Sequence, residues 1–263
     1  MSIRFVAVLR RIAAVGLAGA IAGLLVAGLG GRLVMRIAAA LNPQATGLRT
    51  EADEIVGVVS LNGTLALMVF GGLAFGLLAA IVWSVVGPWL PARGPRRLVA
   101  AGLTAVPFGA PFLVRPGNTD FAILGSDSAI VALLLGLIAL VGVAVAWLGD
   151  RLLRALPEPP RATPRVELAY GAIAAFGLLV LPSAIGAYFS SELCRCSDPP
   201  RLIGSALVVA GLATLASWVA WVRTGHVEPE WRVRAVGTAA VVVGVGLGAT
   251  RLVGEIARIL AAG

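Results

Sequence analysis

The 263-residue sequence contains no lysine, one histidine and two cysteines, and only 13% of it is charged. Without a lysine amine there is no retinal Schiff base, although a seven-helix count invites that comparison, and no phosphate-binding loop ending in Gly-Lys-Ser/Thr. A single histidine, His226, rules out paired axial histidines for haem and a His-Glu-x-x-His zinc helix. His226 also falls between two apolar blocks, beside Glu228 and Glu230, so it reads as a solvated loop residue and supplies no Ser/His dyad within a bilayer. No catalytic residue, metal site or cofactor is therefore assigned, and the balance leans away from an enzyme without closing that class.

What is present is apolar. Hydrophobic residues make up 59% of the chain, against about 45–50% in soluble domains. They gather in seven uninterrupted blocks, at 12–31, 64–86, 98–114, 128–148, 168–189, 202–222 and 233–250. About 20 apolar residues is the length of helix that crosses the hydrocarbon layer. Because the blocks are continuous rather than alternating in polarity, they predict helices and not barrel strands. The expected fold is all-α, a polytopic bundle of about seven spans forming a single transmembrane domain over residues 1–263. The inner segment 149–167, rich in Pro and Arg, is the candidate hinge between spans one to four and spans five to seven. Arg4, Arg10 and Arg11 precede the first block as they would in a secretory signal, but the block is too long for one and more spans follow, so it reads as a retained helix.

The arginines orient the chain, since cytoplasmic span ends carry the positive excess. Threading from a cytoplasmic N-terminus to an extracytoplasmic C-terminus puts Arg4, Arg10, Arg11, Arg93, Arg96, Arg97, Arg151, Arg154, Arg161, Arg165, Arg223, Arg232 and Arg234 inside, against five acids. The outer side then balances, and the whole formal charge of +8 sits on the inner one. All six tryptophans, Trp83, Trp89, Trp147, Trp218, Trp221 and Trp231, fall at inner block ends, where indoles favour the headgroup level. A basic inner face beside anionic lipid explains the pI near 11.2, so no nucleic-acid partner is implied.

Small residues four apart mark helix faces that approach closely in lipid. The first block offers Gly19, Gly23, Ala27 and Gly31, the second Gly72, Gly76, Ala80 and Ser84, the seventh Ala240, Gly244 and Gly248. Such faces serve helices within the chain or homo- and hetero-oligomers. Pro107 and Pro111 in the third block and Pro182 in the fifth remove helical amides and free carbonyls, a feature shared with the broken helices of transporters.

Charges cluster at the outer block ends. Arg32 and Arg36 lie one turn apart on the continuation of the first helix; Arg115 ends the third block; Arg251, Glu255 and Arg258 share one face of the seventh. Between the first two spans, Thr50 is placed to cap a short helix whose first turn holds Glu51, Asp53 and Glu54, and the stretch 55–61 that follows is too short to span. One expectation is that the arginines snorkel to the interface and pair with Glu51, Asp53, Glu54, Asp120 and Glu255. The other is a pocket in which Arg32, Arg36, Arg115 and Arg251 grip an anionic lipid or solute through forked contacts. The runs 32–38 and 251–257 resemble one another, and Arg36 is a candidate partner for Glu255 across a helix interface. In the outer loop before the sixth block, Cys194 and Cys196 flank Arg195. A bridge across one residue is strained and labile, and the pair reads as a structural or intermolecular disulfide, with a redox-active or metal-binding role as the alternative, although two sulfurs alone fall short of a zinc site.

The set Gly31-Arg32-Leu33-Val34-Met35-Arg36, the stretch 50–54, Gly63-Thr64 and Asn118-Thr119-Asp120-Phe121 resembles a group of uncharacterised polytopic membrane proteins of high-GC Gram-positive (actinobacterial) bacteria. The resemblance covers mainly the first half of the chain. It implies a bacterial plasma membrane and no particular activity. Three functional classes stand: a non-enzymatic membrane component with an arginine-rich outer face, a small-solute transporter, and a membrane enzyme acting on a lipid-linked head group with Glu51, Asp53, Glu54 or Asp120 as acid, base or metal ligand.

Overall fold

The computed structural model describes residues 2–49, 55–58, 60–91, 94–116, 118, 121, 128–194, 196–226 and 228–262. Seven long helices dominate them: α1 (Ile3–Leu41), α2 (Leu61–Trp89), α3 (Pro95–Leu113), α4 (Ser128–Ala155), α5 (Pro164–Phe189), α6 (Arg201–Thr224) and α7 (Trp231–Ala262). All but α3 are long and apolar enough to cross a membrane, so the chain is a multi-pass membrane protein. Arg96 and Arg97 near its start and Pro107 and Pro111 in its body lower the hydropathy of α3, but it lies inside the bundle with much of its length buried.

Local chemistry sets the helix ends. The Ser2 and Ser60 hydroxyls accept hydrogen bonds from the amides of Phe5 and Gly63, capping α1 and α2. Pro95 and Pro164 open α3 and α5, where a missing amide costs nothing. Gly225 closes α6 in the left-handed conformation, its amide bonded to the Trp221 carbonyl.

The helices alternate in direction. At one end the amino end of α1 meets the carboxyl ends of α4 and α6: Arg10 donates to the Leu153 and Leu156 carbonyls, Arg4 to that of Val222. At the same end Arg97 of α3 donates to the Gly87 carbonyl at the end of α2 and pairs with Asp150 of α4 at 3.3 Å. Arg4 and Arg10 thus supply donors to carbonyls at the carboxyl ends of α6 and α4, and Arg97 adds a second donor to the Gly87 carbonyl, which already accepts the Leu90 amide. Four arginines also stack on indoles at this end, Arg11 on Trp221, Arg97 on Trp83, Arg151 on Trp147 and Arg232 on Trp231.

From the Arg97–Asp150 pair, α3 runs antiparallel to α4 through Gly102 against Val143 and Gly109 against Ile138. On its other side it runs parallel to α7, with Phe108 on Gly244 and Pro107 on Gly248. Pro111 offers no amide to the Pro107 carbonyl, and Gly248 packs directly on that freed oxygen, where a β-carbon would have no room. The helix continues through both prolines, as α5 does through Pro182.

The glycine stripes of the first two blocks face each other. Gly19 packs on Gly76 and Ala80, and Gly23 on Gly72 and Gly76, backbone against backbone. The next contact is Gly28 on Met68 rather than Ala27, because both helices widen into π turns here, Gly23–Gly28 in α1 and Leu67–Gly72 in α2. The extra residue in a π turn moves the stripe by one position.

Candidate functional site

The end of the bundle opposite the stacked indoles is built on one hydrophobic cluster. Ala38 and Ala39 of α1, Ala110 of α3, Ile130 and Val131 of α4 and Ile259 of α7 belong to it, together with Val56 and Phe121 from the connections. The ends of α1, α3 and α7 therefore come together, and with them the charges that the sequence places there.

Arg32 is 6% exposed, Arg115 7% and Glu255 5%. Ionised groups this deeply buried need polar compensation, and both arginines are engaged in the structure. Arg32 lies nine residues before the end of α1, or roughly 14 Å along its axis. Arg36, one turn further and exposed, donates from Nη1 to the Gly57 carbonyl at 3.1 Å.

The loop that receives Arg36 folds back on itself. Gly47 donates to the Val56 carbonyl and Val56 to that of Leu48, while Arg49 and Ile55 form an antiparallel bridge. Gly57 adopts a φ of +82°, which suits glycine. Arg32, Met35, Arg36, Ile55, Gly57 and Val58 enclose a pocket of about 10 Å³, room for one water. Arg115 and Arg251 do not line it.

Arg115 follows α3 in a turn closed by the Asn118 amide on the Arg115 carbonyl, and Asn118 Nδ2 donates to the Leu113 carbonyl at 2.9 Å. Arg251 faces another way. Its Nη1 lies 3.3 Å from Asp198 Oδ2, its Nη2 binds the Asp198 carbonyl, and it pairs with Glu255 at 3.5 Å. Glu255 also pairs with Arg258 at 3.0 Å. Glu255 is thus partnered within its own helix and does not pair with Arg36. Asp198 is a partner that pattern reading overlooked; the signal was an acid directly before Pro199-Pro200 and the start of α6.

The candidate partners Glu51, Asp53, Glu54 and Asp120, and the capping residue Thr50, lie outside the described residues. Cys194 and Cys196 are joined as a disulfide. Among the described residues no three His, Cys, Asp or Glu side chains come close enough to share a metal.

A second cavity, of about 40 Å³, lies between α2, α3 and α4. Its wall is apolar apart from the Thr104 hydroxyl, bonded within its own helix, and Tyr188, whose hydroxyl donates to the Phe108 carbonyl at 3.0 Å. Among the described residues no acid, arginine or histidine lines it.

No family model matches the chain, and no curated protein or solved structure is significantly similar to it.

Proposed function

We propose that this multi-pass membrane protein is a non-enzymatic component of a bacterial plasma membrane, and that it holds an anionic group, a lipid phosphate or a carboxylated solute, at the end of the bundle bearing Arg32, Arg36 and Arg115. The supporting observation is the Arg32–Arg36 pair: Arg32 is buried in the wall of a cavity with room for one water, and Arg36 is exposed at its rim and fixed by the Gly57 carbonyl, so the anion is held at the rim and not inside the cavity. A fork pre-positioned in this way spends little conformational entropy on an anion. Arg251, occupied by Asp198 and Glu255, contributes to the same end by holding α7 in place.

In this reading the site faces outward. The opposite end is cytoplasmic, because it carries Arg4, Arg10, Arg11 and Arg97 together with the stacked indoles. The resemblance to actinobacterial membrane proteins supports the same compartment.

The test is native mass spectrometry of the full-length protein in nanodiscs of zwitterionic and anionic lipid, with and without added phosphate. The double variant Arg32→Ala, Arg36→Ala should retain anionic adducts about tenfold less, the loss expected from about 1.4 kcal/mol of charge-assisted contact. Retention of phosphatidylglycerol alone identifies a lipid, and retention of phosphate alone a solute. Equal retention by the variant and the parent rejects the site.

A small-solute transporter is the second reading, favoured by the paired π turns within α1 and α2, since such turns recur at functional positions. The apolar wall of the larger cavity speaks against a path for ions through it.

A further inference from the structure

The single turn Ser191–Cys194 leads into the connection that enters α6. Cys194 is buried and Cys196 half-buried, so of the two bonded sulfurs that of Cys196 is the more open to attack. Two residues further on, Asp198 reaches into solvent yet is gripped twice by Arg251, through its carboxylate and through its main-chain carbonyl. Pro199 and Pro200 follow and are buried. Asp198 therefore sits on a short tether between the disulfide and a fixed helix start. From Asp198 the contacts pass to Arg251, then to the buried Glu255 and on to Arg258. Leu252, Ile256 and Ile259 beside them pack on the cluster that also seats the end of α1.

We propose that Cys194–Cys196 is a thiol–disulfide exchange site for an extracytoplasmic dithiol protein, and that its redox state sets the Asp198–Arg251 clamp on the end of α7. A thiolate of the partner attacks Cys196 Sγ, the bond between the two sulfurs breaks, and Cys194 leaves as a thiolate that takes up a proton. The partner's second thiol then attacks the mixed disulfide and releases Cys196. This chain gains two electrons and two protons, and the partner becomes the disulfide. The Cys194 sulfur lies 3.9 Å from the Ser191 carbonyl, so the thiol formed has an acceptor in place.

Reduction lengthens the free tether, and Asp198 spends less time on Arg251. Linkage demands the reverse as well: weakening the clamp must shift the disulfide equilibrium. The compartment of the partner rests on the orientation given under the proposed function; the linkage between disulfide and clamp does not.

The test equilibrates the full-length protein in nanodiscs with dithiothreitol buffers and reads the oxidised fraction by alkylation and mass spectrometry. Asp198→Asn should shift the oxidised-to-reduced ratio by about three- to tenfold, the range of a charge-assisted hydrogen bond of modest net value. Glu192→Gln, in the same loop and without a contact to Arg251, should not shift it. Amide exchange over residues 251–262 should rise on the order of threefold on reduction in the parent, and not in Asp198→Asn. Identical ratios in the parent and Asp198→Asn, or exchange insensitive to reduction, overturn the proposal. In intact cells a membrane-impermeant maleimide should label both cysteines only after reduction. If they are already reduced and reached only by a permeant reagent, the orientation and the extracytoplasmic partner fail, whatever the nanodisc linkage shows.

Discussion

Gly23 of α1 lies against the backbone of Gly72 of α2 at the point where both helices widen into π turns. In lipid no hydrophobic force draws two spans together, so contact of this kind depends on van der Waals fit and weak Cα–H···O bonds.

Gly23→Leu should therefore destabilise the protein by about 1–3 kcal/mol, the usual cost of overpacking, seen as earlier thermal unfolding in detergent. Gly171→Ala and Gly177→Ala, where an added β-carbon meets nothing within 4 Å, should leave the transition unchanged. Equal losses at all three positions would mean that the α1–α2 contact is not the tight one.

Arg97 serves the Gly87 and Pro91 carbonyls, the Asp150 carboxylate and the Trp83 ring at once. Arg97→Gln should cost about 2–3 kcal/mol, and Arg97→Lys should recover little, because an ammonium lacks the fork and the stacking plane. Asp150→Asn, on the wetter side of the pair, should cost about 1 kcal/mol or less. The comparison is made by detergent unfolding of the three variants side by side.

Tyr188 is buried against Phe112 edge to face, with its hydroxyl on the Phe108 carbonyl. Tyr188→Phe keeps the ring contact and should lose about 1 kcal/mol, in line with hydrogen bonds between membrane helices. Loss of expression in this variant would show that the hydroxyl does more than tie α5 to α3.

Glu255, buried between Arg251 and the exposed Arg258, is the acid of the α7 end. Glu255→Gln should cost about 1–3 kcal/mol by leaving Arg251 short of a counter-charge, whereas Arg258→Ala should stay within about 1 kcal/mol. The reverse order would relocate the important pair to the surface.

These helices were legible because lipid imposes one length and one polarity on every span. Continuous apolar blocks mark the long helices with no knowledge of contacts, and the short connections between them make neighbours in sequence alternate in direction. The blocks were short of the helices, though: α1 runs on to Leu41 and α7 to Ala262, since a helix does not stop where hydrophobicity does. The partners within the glycine stripes were not legible, because a spacing of four does not name its mate, and the π turns displaced the contact from Ala27 to Gly28.

At the candidate site the sequence brought Arg32, Arg36, Arg115 and Arg251 to one end, and the ends of α1, α3 and α7 do share one apolar cluster. It could not divide the four, since the division depends on side-chain direction: Arg36 turns to the Gly57 carbonyl and Arg251 to Asp198, contacts between residues 21 and 53 positions apart. The carbonyl-capping role of Arg4, Arg10 and Arg97 was hidden for the same reason, behind a charge bias that already had an explanation.

That role bears on how the protein is made. Arg4 and Arg10 are made long before the carbonyls they bind, which belong to residues 218 and 143 to 146 positions later. Until those segments are synthesised and inserted, both guanidiniums must stay in water or among headgroups. The contacts that fix the amino end of the first helix are thus completed only once the fourth and the sixth have been made.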